Sequence, residues 1–367
     1  MKELREILDR VDRIAPNERA ILATVVDVKG SGYRLAGARM LIDESGSAIG
    51  SVSGGCLETD VLERAKNVLT NRRPTIVVYD STKDDNSVFG LQMGCRGVVR
   101  ILLEPANDHE LFDFIRTTFE LRKMSAVATV ISQASLGQRI YYRDGVQSAM
   151  GFSGAINEII PRLSRDIGNA ISQRRSRSSV YSAGSSELEV FIEVIEPPPS
   201  VLIFGAGNDA IPVAAFAKQL GWNVTVIDRR PAYATAERFP EADRLMAARV
   251  DDLDEDLFFD VNSVAVLMTH HFESDRELLR RFADSPCRYI GILGPKQRTA
   301  DLLRQLDDSG SKINGDLLNR VHAPVGLDIG ASTPESIALS IVSEIQSALA
   351  GREGGRLKHR TKPIYDR

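Results

Sequence analysis

Val201-Leu202-Ile203-Phe204 is an apolar strand that runs into Gly205-Ala206-Gly207-Asn208-Asp209-Ala210 and then directly into an amphipathic helix. A strand-to-helix turn of the form G-x-G-x-x-G/A belongs to a parallel β-α-β unit, where it presents a helix N-terminus to a phosphate. Gly205 permits the tight turn, Gly207 opens the backbone to a ligand, and Ala210 lets the helix lie close on the strand. The free N–H groups that follow Asn208 and the partial positive charge of the helix end make an anion site. Asp228 closes the next strand, about 20 residues on, where a carboxylate can accept hydrogen bonds from a ribose. Arg229 and Arg230 beside it leave a plain ribose and a 2′-phosphate equally open. Asp209 puts a negative charge into the turn, which opposes a pyrophosphate unless the side chain caps the helix or meets a metal. NAD(P) and another nucleotide both remain candidate ligands.

The surrounding pattern agrees. Strands at 201–205, 223–228, 263–269 and 287–292 alternate with helices at 208–220, 274–283, 296–306 and 333–350, which predicts a doubly wound parallel sheet over residues 200–350. Ligands of such sheets bind beyond the carboxyl ends of the strands. Three further loops emerge there. Thr269-His270-His271-Phe272 follows one strand, and Gly294-Pro295-Lys296-Gln297-Arg298-Thr299 follows another, with Lys296 and Arg298 adding charge to a helix N-terminus. His322-Ala323-Pro324-Val325-Gly326-Leu327-Asp328 precedes a turn whose Ser332 and Glu335 have capping-box spacing. Alone, His270 reads as a strand-end histidine bonded to backbone or as a general acid/base. Convergence of His270, Lys296, Arg298 and His322 on one sheet edge predicts a site for a phosphate or pterin-type ligand.

Upstream, Glu196-Pro197-Pro198-Pro199-Ser200 reads as a semi-rigid connector, because three prolines cannot supply the N–H groups of a central strand. Residues 1–196 therefore form a separate α+β domain. Within it, Leu22-Ala23-Thr24-Val25-Val26 is echoed by Val127-Ala128-Thr129-Val130-Ile131, Ser53-Gly54-Gly55 by Ser153-Gly154-Ala155, and Val99–Pro105 by Phe191–Pro197, in the same order. Either one unit is duplicated, as 1–106 and 107–196, or strand-loop-helix units resemble each other by chance. A helix carrying Leu4, Ile7, Leu8, Val11 and Ile14 is expected, then strands at 21–28, 38–43, 75–79 and 97–103 and a helix at 107–122. Gln173–Ser179 reads as a solvated loop, and residues 351–367 as a basic, mobile tail.

Two cysteines stand among glycines. Ser53-Gly54-Gly55-Cys56-Leu57-Glu58 puts a thiol at the first turn of a helix, where the dipole favours a thiolate, and Gly94-Cys95-Arg96-Gly97 puts another beside a guanidinium. Cys287, inside a strand, reads as core. Residues 1–108 contain no histidine, so no Cys–His dyad can form within them, and two thiols are too few for a closed zinc site. A redox pair, sulfur transfer, or ligation of a metal carried by a cofactor remain; a thiol pair suits thiophilic metals. A net charge of −4 over 367 residues gives no reason to expect nucleic acid or an anionic membrane surface as partner. No apolar run approaches a membrane span, and the start lacks the uninterrupted apolar stretch of a secretory signal, which implies a cytoplasmic protein. A homodimer is the oligomer to expect, as the commonest closed assembly.

These segments resemble the xanthine dehydrogenase accessory protein family (XdhC/CoxI). The resemblance is carried by Gly30–Met40, Gly50–Glu58, Gly94–Gly97, the strand and glycine turn at 201–210, Met268-Thr269-His270, Gly291–Lys296 and His322–Asp328, in family order. It implies a C-terminal Rossmann-like domain after an N-terminal α+β domain. It also implies an accessory factor that binds molybdenum cofactor (molybdopterin), assists its sulfuration and passes it to the apoenzyme of a molybdenum hydroxylase such as xanthine or carbon monoxide dehydrogenase. A cysteine desulfurase-type sulfur donor would be a second partner. Ser53, Gly54, Gly55, Cys56 and Cys95 would then contact the cofactor, with the two thiols on its metal or its sulfur ligand. The family often has Gly-Cys-Gly-Gly where this chain has Gly94-Cys95-Arg96-Gly97, so Arg96 either narrows the approach or adds a phosphate contact. The rival from another class is an NAD(P)-dependent oxidoreductase with His270 as acid/base and Asp228 on the ribose.

Overall fold

In the computed structural model, which describes residues 1–15, 17–82, 97–106, 109–148, 155–184, 186–253, 257, 259–308 and 315–364, the strands form two five-stranded antiparallel sheets and one six-stranded parallel sheet. The chain separates into two units, Lys2–Pro197 and Pro198–Arg367.

The N-terminal unit runs α1 (Lys2–Val11), β1 (Ala20–Gly30), β2 (Arg39–Asp43), β3 (Ala48–Gly50), α2 (Glu58–Asn71), β4 (Thr75–Asp80), β5 (Gly97–Pro105), then α3 (His109–Leu121), β6 (Ser125–Val130), β7 (Arg139–Arg143), β8 (Val146–Ser148), α4 (Ala155–Ser172), β9 (Arg177–Ala183) and β10 (Ser186–Ile195). The strand orders are β3-β2-β1-β5-β4 and β8-β7-β6-β10-β9, the same order in each sheet. Period-2 alternation decides the layers. Ile21, Ala23 and Val25 of β1 pack on Val61, Ala65 and Val68 of α2, while the intervening Leu22 joins Val127, Tyr141 and Ile195 of the second sheet. The second sheet turns Ala126, Ala128 and Val130 to Ile159, Leu163 and Ile167 of α4. Two sheets thus share one core, with a helix on each outer face.

Two buried ion pairs join the sheets. Arg39 of β2 donates from Nη1 and Nη2 to the two carboxylate oxygens of Glu193 on β10 at 2.6 and 2.5 Å. Arg139 of β7 donates to Glu104 of β5, with the roles of the sheets exchanged. The loop expected over 173–179 is corrected at its end, since Arg177–Ala183 is the edge strand β9. An edge strand needs partners on one side only and tolerates polar residues; here Ser178 Oγ also donates to the Val26 carbonyl at 2.9 Å.

The C-terminal unit runs β11 (Ser200–Phe204), α5 (Ala210–Gln219), β12 (Asn223–Asp228), β13 (Arg244–Ala247), β14 (Ser263–Leu267), α6 (Phe272–Ala283), β15 (Tyr289–Ile292), α7 (Lys296–Asp308), α8 (Gly315–Arg320), β16 (Val321–His322) and α9 (Pro334–Leu349). The order β13-β12-β11-β14-β15-β16 reverses direction between β11 and β14. Val201 and Ile203 face α5 and α9, whereas Leu202 and Phe204 face α6 and α7, so β11 is buried on both sides, as a parallel sheet requires. The tail begins tied to α9: Arg352 N–H donates to the Ser347 carbonyl at 2.8 Å, and Ser347 Oγ donates to the Arg352 carbonyl at 2.6 Å. No helix among the described residues is long and apolar enough to cross a membrane.

Candidate functional site

The reversal between β11 and β14 opens a crevice at the carboxyl edge of the sheet, flanked by the glycine turn and by the 268–271 loop. Gly205 has φ +107, and a Cβ there would overlap the Met268 carbonyl, so only glycine lets the two loops come this close. At Gly207 a Cβ would sit 2.5 Å from Asp209 Oδ1. Asp209 occupies the N-cap position of α5 but makes no side-chain cap bond. Its Oδ2 lies instead 3.1 Å from His270 Nε2. His270 is left-handed at φ +56, a conformation that costs a non-glycine residue roughly 1–2 kcal/mol. The candidate acid/base thus meets the acidic residue of the turn. Asn208 Oδ1 accepts from Arg238 at 3.1 Å.

Asp228 is buried at the end of β12. Its Oδ2 accepts from Ala206 N–H at 2.7 Å and Arg230 Nη2 at 2.8 Å, and its Oδ1 from Arg230 N–H and Nε, both at 2.9 Å. Burial works against the charged form, but the Arg230 side chain and the two backbone donors outweigh it and hold the carboxyl at about 2. Beside it lies a cavity of about 510 Å³, bounded by the ends of β11 to β14 and the first turns of α6. Of the predicted residues, Gly205 and Asp228 line it; Arg229, Arg249, Thr269 and His271 join them. His271 caps α6, its Nδ1 accepting from Ser274 N–H at 3.3 Å, which leaves the proton of a neutral ring on Nε2.

Arg298 and His322 have partners of their own. Arg298 donates to Asp275 at 2.6 Å, and Thr269 Oγ1 donates to the same carboxylate at 2.5 Å; Asp275 is 1% exposed. His322 stacks on Tyr289 with ring centroids 4.2 Å apart and lies 3.7 Å from Glu344. Glu344 also accepts from Tyr289 Oη and, at 2.8 Å, from Gly326 N–H. Burial, the largest single influence on Glu344, works against its charged form, but hydrogen bonds from His322, Tyr289 and Gly326 together hold the carboxyl below the ordinary range. Lys296 is exposed at the first position of α7.

In the N-terminal unit the geometry corrects one detail: Cys56 precedes the N-cap of α2, which is Leu57, rather than sitting inside the first turn. The hub of the loop is Ser53, 6% exposed. Its Oγ accepts from Gly55 N–H at 3.2 Å and Leu57 N–H at 3.1 Å and donates to Glu58. Ser53 N–H also donates to Glu58, at 2.8 Å. The exposed Cys56 has its Sγ 3.6 Å from Ser53 Oγ. Gly54 lies against the Tyr33 ring, where a Cβ would come within 3.2 Å, and Gly55 has φ +108. Cys95 falls in 83–96, outside the described residues, as do Ser153 and Gly154. Cys287 is fully buried, and burial pushes its thiol up to about 11.

Arg249, Asp275 and Glu344 are the residues that sequence reading missed. Arg249 follows β13, whose apolar run Leu245-Met246-Ala247 is short; the need of a doubly wound sheet for a third strand was the available signal. Asp275 and Glu344 sit inside helices, where a carboxylate looks like any solvated charge.

Residues 201–345 match the XdhC Rossmann domain, and residues 13–80 match the XdhC and CoxI family. The chain is 33% identical over 328 residues to a probable xanthine dehydrogenase subunit of Bacillus subtilis, covering 89% of this chain and 92% of that protein. It is 21% identical over 343 residues to the molybdenum cofactor insertion chaperone PaoD of Escherichia coli, covering 94% and 87%. A crystal structure described as a xanthine dehydrogenase from Bacillus halodurans aligns at a TM-score of 0.77 with 30% identity over 98% of each chain.

Proposed function

The chain belongs to the XdhC and CoxI family, and from that premise we propose that it is an accessory factor for a molybdenum hydroxylase, which binds molybdenum cofactor and assists its sulfuration and insertion. The observation that carries this reading is similarity across both units: one relative named as a xanthine dehydrogenase subunit spans 89% of the chain, and one named as a cofactor insertion chaperone spans 94%. Among the described residues no group of three or more His, Cys, Asp or Glu is arranged to hold a metal ion. In this reading the metal arrives already ligated by its pterin, the protein adding a thiol and a phosphate contact. Cys56 suits the first task, being an exposed thiol on a loop fixed by Ser53 and Glu58. The carboxyl edge of the parallel sheet, where the glycine turn and the arginines after β12 and β13 lie, suits the second. Delivery of the terminal sulfur by a cysteine desulfurase-type donor, action in the cytoplasm and assembly as a homodimer belong to the same reading.

The test is to produce the protein in cells making molybdopterin and assay the pterin that co-purifies. Wild type is expected to retain it and Cys56→Ala to retain less; a wild-type protein that never carries pterin when supplied would overturn the proposal. The strand order also favours a second reading, an NAD(P)-dependent oxidoreductase. That reading predicts turnover of a small substrate with a nicotinamide nucleotide, lost in Gly207→Ala and kept in Cys56→Ala. Its weakness is Asp228, whose oxygens already carry four hydrogen bonds.

A further inference from the structure

The cavity beside Asp228 has an apolar floor of Phe204, Ile227, Ala248, Val250 and Leu278, and its charged lining can be sorted by what is already committed. A carboxylate offers about four lone-pair sites, and all of those on Asp228 are filled, two by backbone N–H groups and two side-on by Arg230. Arg230 is held further by lying 3.7 Å over the Tyr233 ring. Arg276 pairs with Glu273 at 2.7 Å, and Glu277 accepts from Arg280 at 2.5 Å. What is left uncommitted among the described residues is Arg229 and Arg249 against one carboxylate, Asp251.

A ribose diol entering here would need acceptors, and the acceptor at the expected place is saturated. Two guanidinium groups without a partner among the described residues instead offer planar donor forks, the geometry that matches phosphate oxygens. A phosphate monoester carries close to two negative charges near neutral pH, and the two arginines outnumber the one uncommitted carboxylate that would oppose it. We infer that this cavity binds a phosphate monoester attached to a planar heterocyclic ligand, with Arg229 and Arg249 on the phosphate and the ring over the apolar floor. Two sources share that chemistry: a dinucleotide with a 2′-phosphorylated ribose and the monoester of a pterin. The pterin arm rests on the accessory reading above, and the dinucleotide arm does not.

Calorimetric titration of the full chain with NADP⁺, NAD⁺ and molybdopterin tests it, on wild type, Arg249→Ala, Arg249→Lys and Arg229→Ala. Both arginines are exposed, and an unchanged thermal midpoint confirms that the variants fold. One of the two monoesters is expected to bind, with NAD⁺ at least about tenfold weaker, and Arg249→Ala is expected to weaken the bound monoester about tenfold, Lys restoring part. NADP⁺ binding that depends on Arg249, without any pterin binding, supports the cavity assignment while sinking the accessory reading. Molybdopterin binding that is indifferent to both arginine variants overturns the cavity assignment and leaves the accessory reading standing. Equal affinity for NAD⁺ and NADP⁺, or no binding of either monoester, also overturns it.

Discussion

The two halves of the N-terminal unit repeat a scaffold and differ in chemistry. Each has a helix over the outer face and the same strand order. Each lends one arginine to the other: Arg39 to Glu193, and Arg139 to Glu104. Each also ties an edge-strand tyrosine to a helix carboxylate, Tyr79 to Asp60 at 2.6 Å and Tyr181 to Asp166 at 2.9 Å. The thiol has no such counterpart, because the segment that echoes Ser53-Gly54-Gly55-Cys56 reads Ser153-Gly154-Ala155-Ile156. What repeats is what a two-sheet core needs, a charge-matched seam; the exposed thiol, outside that seam, occurs in one half alone.

The largest effect comes from breaking the seam. Arg39→Ala and Arg139→Ala each strand a buried glutamate and should cost about 3–5 kcal/mol in urea unfolding. Unequal costs, one near zero, would break the comparison. The C-terminal unit supplies a contrast with a different pH signature. Asp228, held at about 2 instead of 3.8, adds about 2 kcal/mol of stability that is complete above pH 4 and drains away as the pH falls through 2. Asp228→Asn should remove that acid dependence, read as thermal midpoint against pH. Smaller again are Tyr79→Phe and Tyr181→Phe, each expected to cost about 1 kcal/mol by loss of one bond to a carboxylate. Burial and then Asp166 push the Tyr181 hydroxyl up to about 12, and Tyr79 rises for the same reasons with Asp60, so neither loss should vary with pH between about 5 and 9. Cys56→Ala should be the mildest for stability, within about 0.5 kcal/mol for an exposed side chain, while lowering the pterin that co-purifies. A larger stability loss there would make Cys56 part of the scaffold.

Much of this was legible from residue order. The glycine turn, the alternating strands and helices and the acidic end of β12 are local patterns, and each lies where its pattern requires. Family membership, too, rested on short contiguous segments. The glycine at 205 is informative because a turn with φ +107 admits little else. Cations at a strand end carried less information than they promised. Arg298 looks like an anion ligand in sequence, yet it pairs with Asp275, and His322 lies on Tyr289 and beside Glu344.

Sequence by itself determined the alternation of β11, α5, β12, β14, α6, β15, α7 and α9, the parallel sheet they build and the loops that reach its carboxyl edge, since periodicity and turn chemistry act over a few residues. Only the tertiary structure decided which charges are committed. Arg39 and Glu193 stand 154 positions apart and meet at 2.5 Å, whereas Arg229 and Arg230 are neighbours and only the second faces Asp228. Coulomb energy and hydrogen bonding depend on distance and burial, which a linear order of residues does not contain.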